Sequence, residues 1–187
     1  LGGGADKEQN LIFADLLQRK QSIQTAMDHK TAFLLICGGY QLFGQYYKDQ
    51  DGNVIEGLKF FDYYTVAGNR DERCIGNIAV ETTMDGKTFK AVGFENHGGQ
   101  TKNVSTPFAK VLSGHGNEMH SGYEGFMNDQ VLATYMHGPL LPKNPDIADA
   151  ILKRALKKRY GEVTLEPLDD TIEYQAQNVM LERLQCK

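Results

Sequence analysis

The apolar positions fall into three regimes along the chain. Over residues 7–28, Leu11, Ile12, Leu16, Leu17, Ile23 and Met27 recur at helical spacing and predict one long helix. Asp6 ahead of it suits an N-cap, with Glu8 and Gln9 in the first turn. Thr31-Ala32-Phe33-Leu34-Leu35-Ile36 is a continuous apolar run, the pattern of a strand buried on both faces in a parallel sheet. Cys37-Gly38-Gly39 then turns sharply into a second helix over 40–47, and 49–53 is a polar turn. The middle is β-rich: 59–67, 73–82 and 88–95 read as strands, the last two a hairpin across Asp85-Gly86. Residues 97–122, dense in Gly, Asn, Ser and His, read as loop. A second buried strand covers 131–136 and ends at His137-Gly138-Pro139. Asn144 as cap, Pro145 at the first position, Lys157, Lys158 and Arg159 in the last turn and Gly161 as stop delimit a helix over 145–160. A final helix spans 171–184. Strand–helix units at both ends with a β-rich insertion between them predict one α/β domain over 1–187.

Composition narrows the field. A chain of 187 residues with 41% hydrophobic content can bury its own core. A net charge of -4 offers no basic field for a phosphate backbone, which sets nucleic-acid binding aside. The longest apolar run, 32–37, is far too short to cross a bilayer. Three unevenly spaced cysteines argue against a disulfide framework and for a reducing cytoplasm. The chain opens on Leu1-Gly2-Gly3-Gly4 without Met, and a glycine turn running into a helix normally follows a strand. The expectation is a fragment of a longer protein, short of its N-terminal strand–helix units by roughly 50–60 residues, or a second polypeptide supplying them.

Cys37 sits where a buried strand gives way to a helix, the setting of a nucleophile elbow. A buried core thiol fits the same position, and the two alternatives stand about even. A nucleophilic thiol needs a base, and His137 also follows a buried strand. Carboxyl ends of parallel strands share one edge, so Cys37 and His137 are expected on the same edge. His97, in Glu95-Asn96-His97-Gly98-Gly99, is a weaker second candidate, read as a loop residue whose backbone matters more than its ring. His29 and His120 read as solvated, and His115 gives no signal. The glycines at 2–4 suit backbone oxyanion donors and complete a cysteine acyl-transfer set with Cys37 and His137. Cys74 and Cys186 have neither an elbow nor a base beside them, and the basic cluster at 153–159 suits a solvated helix end.

Cys37-Gly38-Gly39-Tyr40-Gln41-Leu42-Phe43-Gly44 resembles the nucleophile motif of class I glutamine amidotransferases, in the form of the cobyric-acid-synthase-like branch. Gly2-Gly3-Gly4-Ala5-Asp6-Lys7-Glu8-Gln9 resembles that branch's oxyanion segment, and Gly93-Phe94-Glu95-Asn96-His97-Gly98-Gly99 its central loop. Tyr135-Met136-His137-Gly138-Pro139-Leu140-Leu141-Pro142-Lys143-Asn144 is more specific and resembles the GatD-like glutaminase subunits of lipid II isoglutaminyl synthases. The resemblance covers essentially the whole chain. It implies a flavodoxin-like class I amidotransferase fold, with a mostly parallel sheet flanked by helices and an antiparallel insertion. It implies Cys37 as nucleophile, His137 as base, Arg70 as the arginine that contacts substrate, and backbone at Gly4 and Gly38 as the oxyanion hole. Gln41 is expected to order the elbow.

It also implies a MurT-like, Mur-ligase-type synthetase partner that carries ATP and Mg, handles lipid II and receives ammonia from glutamine hydrolysed on this subunit. No Gly-x-x-x-x-Gly-Lys-Ser/Thr stands in this chain, and no cofactor or metal is expected on it. Classical relatives place a glutamate two residues after the histidine. Pro139 stands there instead, so the site is a Cys–His dyad or borrows an acid, with Glu95 and Glu118 conceivable. Two alternatives remain: a glutaminase domain of corrinoid amidation, and a silent amidotransferase fold used for binding.

Overall fold

In the computed structural model, residues 1–3, 6–69 and 71–186 are described, with residues 6–10 described by their backbone alone. Two helices open the fold, α1 (Asp6–Gln18) and α2 (Lys20–Asp28), followed by β1 (Phe33–Ile36), α3 (Gly38–Phe43), β2 (Tyr46–Lys48), β3 (Val54–Glu56) and β4 (Tyr64–Ala67). The long hairpin β5 (Cys74–Met84) and β6 (Lys87–His97) leads to β7 (Gly99–Lys102), β8 (Ala109–Ser113), β9 (Tyr123–Glu124), β10 (Phe126–Met127) and β11 (Val131–Thr134). Three helices close the chain: α4 (Leu140–Lys143), α5 (Pro145–Tyr160) and α6 (Thr171–Arg183).

The two apolar runs predicted as buried strands are neighbours. β1 and β11 pair in parallel, Phe33 opposite Val131 through Ile36 opposite Thr134. Leu1 lines the other edge of β1, its N–H₃⁺ donating to Leu34 O and its carbonyl accepting from Ile36 N, both at 2.9 Å. Leu132 and Met136 pack with Ile78, Val80, Leu140 and Ile147 on one face of β11. Val131, Ala133 and Tyr135 pack with Tyr40, Phe43 and Tyr63 on the other. A strand covered on both faces has no polar side, which is why it reads as an unbroken apolar run.

The expected α/β architecture is present, with mixed sheets. Among the described residues, parallel pairing joins β1 to β11 and β2 to β4, and the other strand pairs are antiparallel. Other differences are local. The helix predicted over 7–28 is broken at Arg19, and the apolar phase hides the break because Phe13, Leu16, Ile23 and Met27 all face one core. The helix predicted over 40–47 stops at Gly44, where an added Cβ would lie 2.5 Å from Tyr63 O, and the chain turns into β2. The loop read over 97–122 contains β7 and β8. β7 buries Gln100 and Thr101, so its inward side chains are polar and carry no hydrophobic signal.

Candidate active site

Cys37 is the single residue between β1 and α3, held at φ 52°, ψ −108°. This left-handed conformation costs a non-glycine residue roughly 1–3 kcal/mol and persists only where the surroundings over-determine it. Here Cys37 N donates to Thr134 O at 2.9 Å on the parallel neighbour, and Cys37 O accepts from Gln41 N at 3.0 Å. The side chain stands half-buried at the carboxyl end of β1. The glycine segment packs directly onto it: a Cβ on Gly3 would stand 2.8 Å from Cys37 Cβ, 3.2 Å from its Sγ and 3.4 Å from Gly38 N. Only glycine fits there, and the backbone of Gly3 and Gly38 therefore borders the thiol. Gly4 and Arg70, both singled out from the sequence, lie outside the described residues. The turn that flanks Arg70 is anchored by Asn69 N donating to Glu72 Oε2 at 2.9 Å, and by Gly68 N donating to Gly98 O at 2.9 Å.

His137 follows β11 by three positions, so the expected shared edge is observed, with β1 and β11 adjacent. Its anchor is the outer strand β6. Phe94 and His137 form an antiparallel bridge, His137 N to Phe94 O at 2.7 Å and Phe94 N to His137 O at 3.3 Å. The His137 Nδ1 lies 3.3 Å from the same Phe94 carbonyl. A carbonyl only accepts, which assigns the neutral ring's proton to Nδ1 and leaves Nε2 as the basic nitrogen. A backbone carbonyl therefore faces His137 Nδ1. Glu118 is instead paired with Lys102 at 2.8 Å, and Glu95 accepts the His115 and Gly116 N–H groups. Burial pushes the His137 imidazole below the ordinary histidine value, the Phe94 hydrogen bond opposes this, and the field of His97 adds to it. Burial thus favours the neutral ring.

Two residues of this region, Tyr135 and Glu124, escaped the sequence reading, and a third, His97, was read for its backbone alone. Tyr135, completely buried beside the elbow, has its hydroxyl 2.6 Å from Thr101 Oγ1 and accepts from Gln41 Nε2 at 3.1 Å. Glu124, also completely buried, accepts from Tyr135 N at 2.7 Å and from the Thr134 hydroxyl, and burial pushes its carboxyl up. The His97 ring is no loop ornament: it is buried and stacks on Tyr135 with centroids 3.7 Å apart and planes 8° apart. Only the interruption of an apolar strand by Thr134 and Tyr135 hints at this polar layer.

Asn144 also differs from expectation. Its side chain makes no cap bond to α5; it pairs with Val92 on the outer edge of β6, accepting from Val92 N and donating to Val92 O, both at 2.8 Å. Phe94, two residues on and facing the same way, holds His137.

None of the three cysteines is in a disulfide, and Cys74 is buried at the start of β5, opposite His97. No helix among the described residues is long and apolar enough to cross a membrane.

A thiol on a strained strand-to-helix turn, with an imidazole three residues past the end of the adjacent parallel strand, is an arrangement suited to cysteine-dependent acyl transfer. The chain belongs to the CobB/CobQ-like glutamine amidotransferase domain family, whose profile matches residues 1–145. Within it, the chain is 37% identical over 183 residues to the lipid II isoglutaminyl synthase (glutamine-hydrolyzing) subunit GatD of Staphylococcus aureus (strain N315), covering 98% of this chain and 73% of that protein. It is 39% identical over 163 residues to the same-named subunit of Streptococcus pneumoniae (strain ATCC BAA-255 / R6), covering 86% of this chain and 62% of that protein. A probable cobyric acid synthase of Methanocaldococcus jannaschii is 31% identical over 158 residues, 77% of this chain but 31% of that protein.

Proposed function

We propose that the protein is the glutamine-hydrolysing subunit of a lipid II isoglutaminyl synthase. The observation that carries this is the placement of Cys37 and His137 at the carboxyl ends of adjacent parallel strands, in a chain similar to GatD subunits over 98% of its length. His137 Nε2 takes the proton of the Cys37 thiol, and the resulting thiolate attacks the side-chain carboxamide carbon of L-glutamine. The oxyanion that forms takes N–H donors from the backbone at Gly38 and Gly4. His137 delivers a proton to the departing ammonia, which leaves a γ-glutamyl thioester on Cys37. Water, deprotonated by His137 Nε2, then attacks the thioester and releases glutamate. Arg70 holds the α-carboxylate of glutamine.

Free ammonia release would waste glutamine, so the ammonia passes to a MurT-like synthetase of the Mur-ligase type. That partner uses ATP and Mg to activate the D-glutamate carboxylate of lipid II, giving D-isoglutamine in cytoplasmic peptidoglycan precursor synthesis. Two measurements test the assignment. Chain and partner together should amidate lipid II with glutamine as nitrogen source, and the chain with Cys37→Ser should support amidation only from added ammonia. Amidation by the Cys37→Ser complex from glutamine would defeat it. Arg70→Ala should raise KM for glutamine roughly ten- to a hundredfold, through loss of a charge-assisted hydrogen bond. An unchanged KM would return Arg70 to a solvated charge.

A further inference from the structure

The dyad uses Cys37, His137 and nearby backbone, and leaves one buried ionisable pair unemployed. His97 closes β6 with 3% of its surface exposed, and Glu95, two residues earlier on the same face, is completely buried. Sealing a carboxylate and an imidazole inside a protein costs several kcal/mol per charge unless each is paired and hydrogen-bonded. Both are held from fixed points. Glu95 accepts from His115 N at 2.8 Å and from Gly116 N at 3.0 Å. His97 Nδ1 donates to Gly99 O at 2.7 Å, and its Nε2 faces Glu95 Oε2 at 3.9 Å, an ion-pair separation too long for a hydrogen bond. One face of the ring lies on Tyr135. Tyr135 immediately follows the carbonyl that receives Cys37 N–H, and its hydroxyl binds Gln41 of the elbow helix. His97 therefore sits one aromatic layer beneath the Cys37 elbow.

We propose that His97, paired with Glu95, is a positioning residue of this site: it clamps Tyr135 under the elbow and favours the Cys37 thiolate. The role presupposes that Cys37 and His137 form the working dyad. The titratable groups around the ring are Cys74 on β5, Glu95 on β6, Glu124 on β9, and Tyr135 and His137 beyond β11. Burial pushes Glu124 toward its neutral form, which leaves Glu95 as the counter-ion; burial opposes charge there too, but its hydrogen bonds hold its carboxyl below the usual range. Burial works against the charged ring as well, yet Cys74, Glu95 and the Gly99 carbonyl together push His97 up to about 9. Burial lowers His137, and the same charge adds to that shift.

The test is the rate of Cys37 alkylation by iodoacetamide against pH in the full chain, read on the Cys37 peptide by mass spectrometry. Wild type should show a midpoint below the ordinary thiol value of about 8.5. His97→Asn, whose amide can keep the Gly99 bond, should move that midpoint up by about one unit and slow alkylation at pH 7 about tenfold. An unmoved midpoint in His97→Asn, with wild type still low, overturns the role of His97 and leaves the dyad standing. A wild-type midpoint at the ordinary thiol value overturns the role of His97 at the thiol and leaves the dyad standing, with His137 drawing the thiol proton during attack. If His97→Asn does not fold, side-chain NMR of the wild-type chain decides. A His97 ring charged at pH 7 with a midpoint near 9 supports the role, and a neutral ring at pH 7 overturns it.

Discussion

Asn144→Ala offers a perturbation whose size follows from the contacts. The carboxamide is completely buried and makes four side-chain hydrogen bonds: with Val92 N and Val92 O at 2.8 Å each, with Leu140 O at 2.7 Å and from Gln177 Nε2 at 3.0 Å. Truncation leaves the N–H and C=O of Val92 facing a void on the outer edge of β6, where its residue is 1% exposed. An unsatisfied buried backbone group costs about 1–3 kcal/mol, so two of them predict a loss of roughly 2–6 kcal/mol. With a urea m-value of about 2 kcal/mol/M, the unfolding midpoint should fall by roughly 1–3 M at unchanged slope.

Gln177→Ala is the control. It removes bonds to Asn144 Oδ1 and Lys143 O but touches no strand, and should cost about 1–2 kcal/mol. The two variants also part in activity. Asn144 and His137 hold β6 at Val92 and Phe94, two residues apart on one edge, so Asn144→Ala should lower kcat as the base loses its anchor, while Gln177→Ala leaves kcat alone. A loss of stability below about 1 kcal/mol in Asn144→Ala would refute the edge-pairing account.

Gly3→Ala should lower kcat on the order of a hundredfold with little change in Tm, because its methyl must displace the elbow thiol 2.8–3.2 Å away while the residue itself is exposed; kcat within twofold of wild type counts against the packing described. The acid limb of kcat/KM should have its midpoint below about 6.5, since burial favours neutral His137, and a midpoint above that value would contradict a buried base. His97 binds its proton more tightly folded than unfolded, so the stability it contributes is fully present below about pH 6.5 and is lost as pH rises through about 9. Tm should accordingly fall between pH 7 and pH 9.5, and His97→Asn should flatten that slope; parallel slopes in the two proteins would show that His97 is not the titrating group.

Much of the architecture was legible because burial on two faces writes itself into sequence. The β1 and β11 runs, the Asp85-Gly86 hairpin and the helix over 145–160 all carry hydrophobic pattern or terminal signals, and all are found. The positions of Cys37 and His137 followed from one rule, that parallel strands share their carboxyl edge. What stayed hidden is what polar side chains do inside. Gln100, Thr101, Glu95 and Glu124 look like surface residues in the sequence and are buried. His97 lies in a stretch rich in glycine and asparagine, where an imidazole stacked on a tyrosine 38 positions away leaves no periodic trace. Asn144 does stand at the helix start, as a cap would, but its amide serves the neighbouring strand instead.

The central claim is that Cys37 is the atom that takes the glutamyl group. An electrophilic glutamine analogue with a diazoketone in place of the carboxamide tests it most directly, with intact-mass and peptide mass spectrometry as the readout. One equivalent should attach to the Cys37 peptide, glutamine should protect it, and Cys37→Ala should take up none. Attachment at Cys74 or Cys186, or undiminished labelling of Cys37→Ala, would contradict the account.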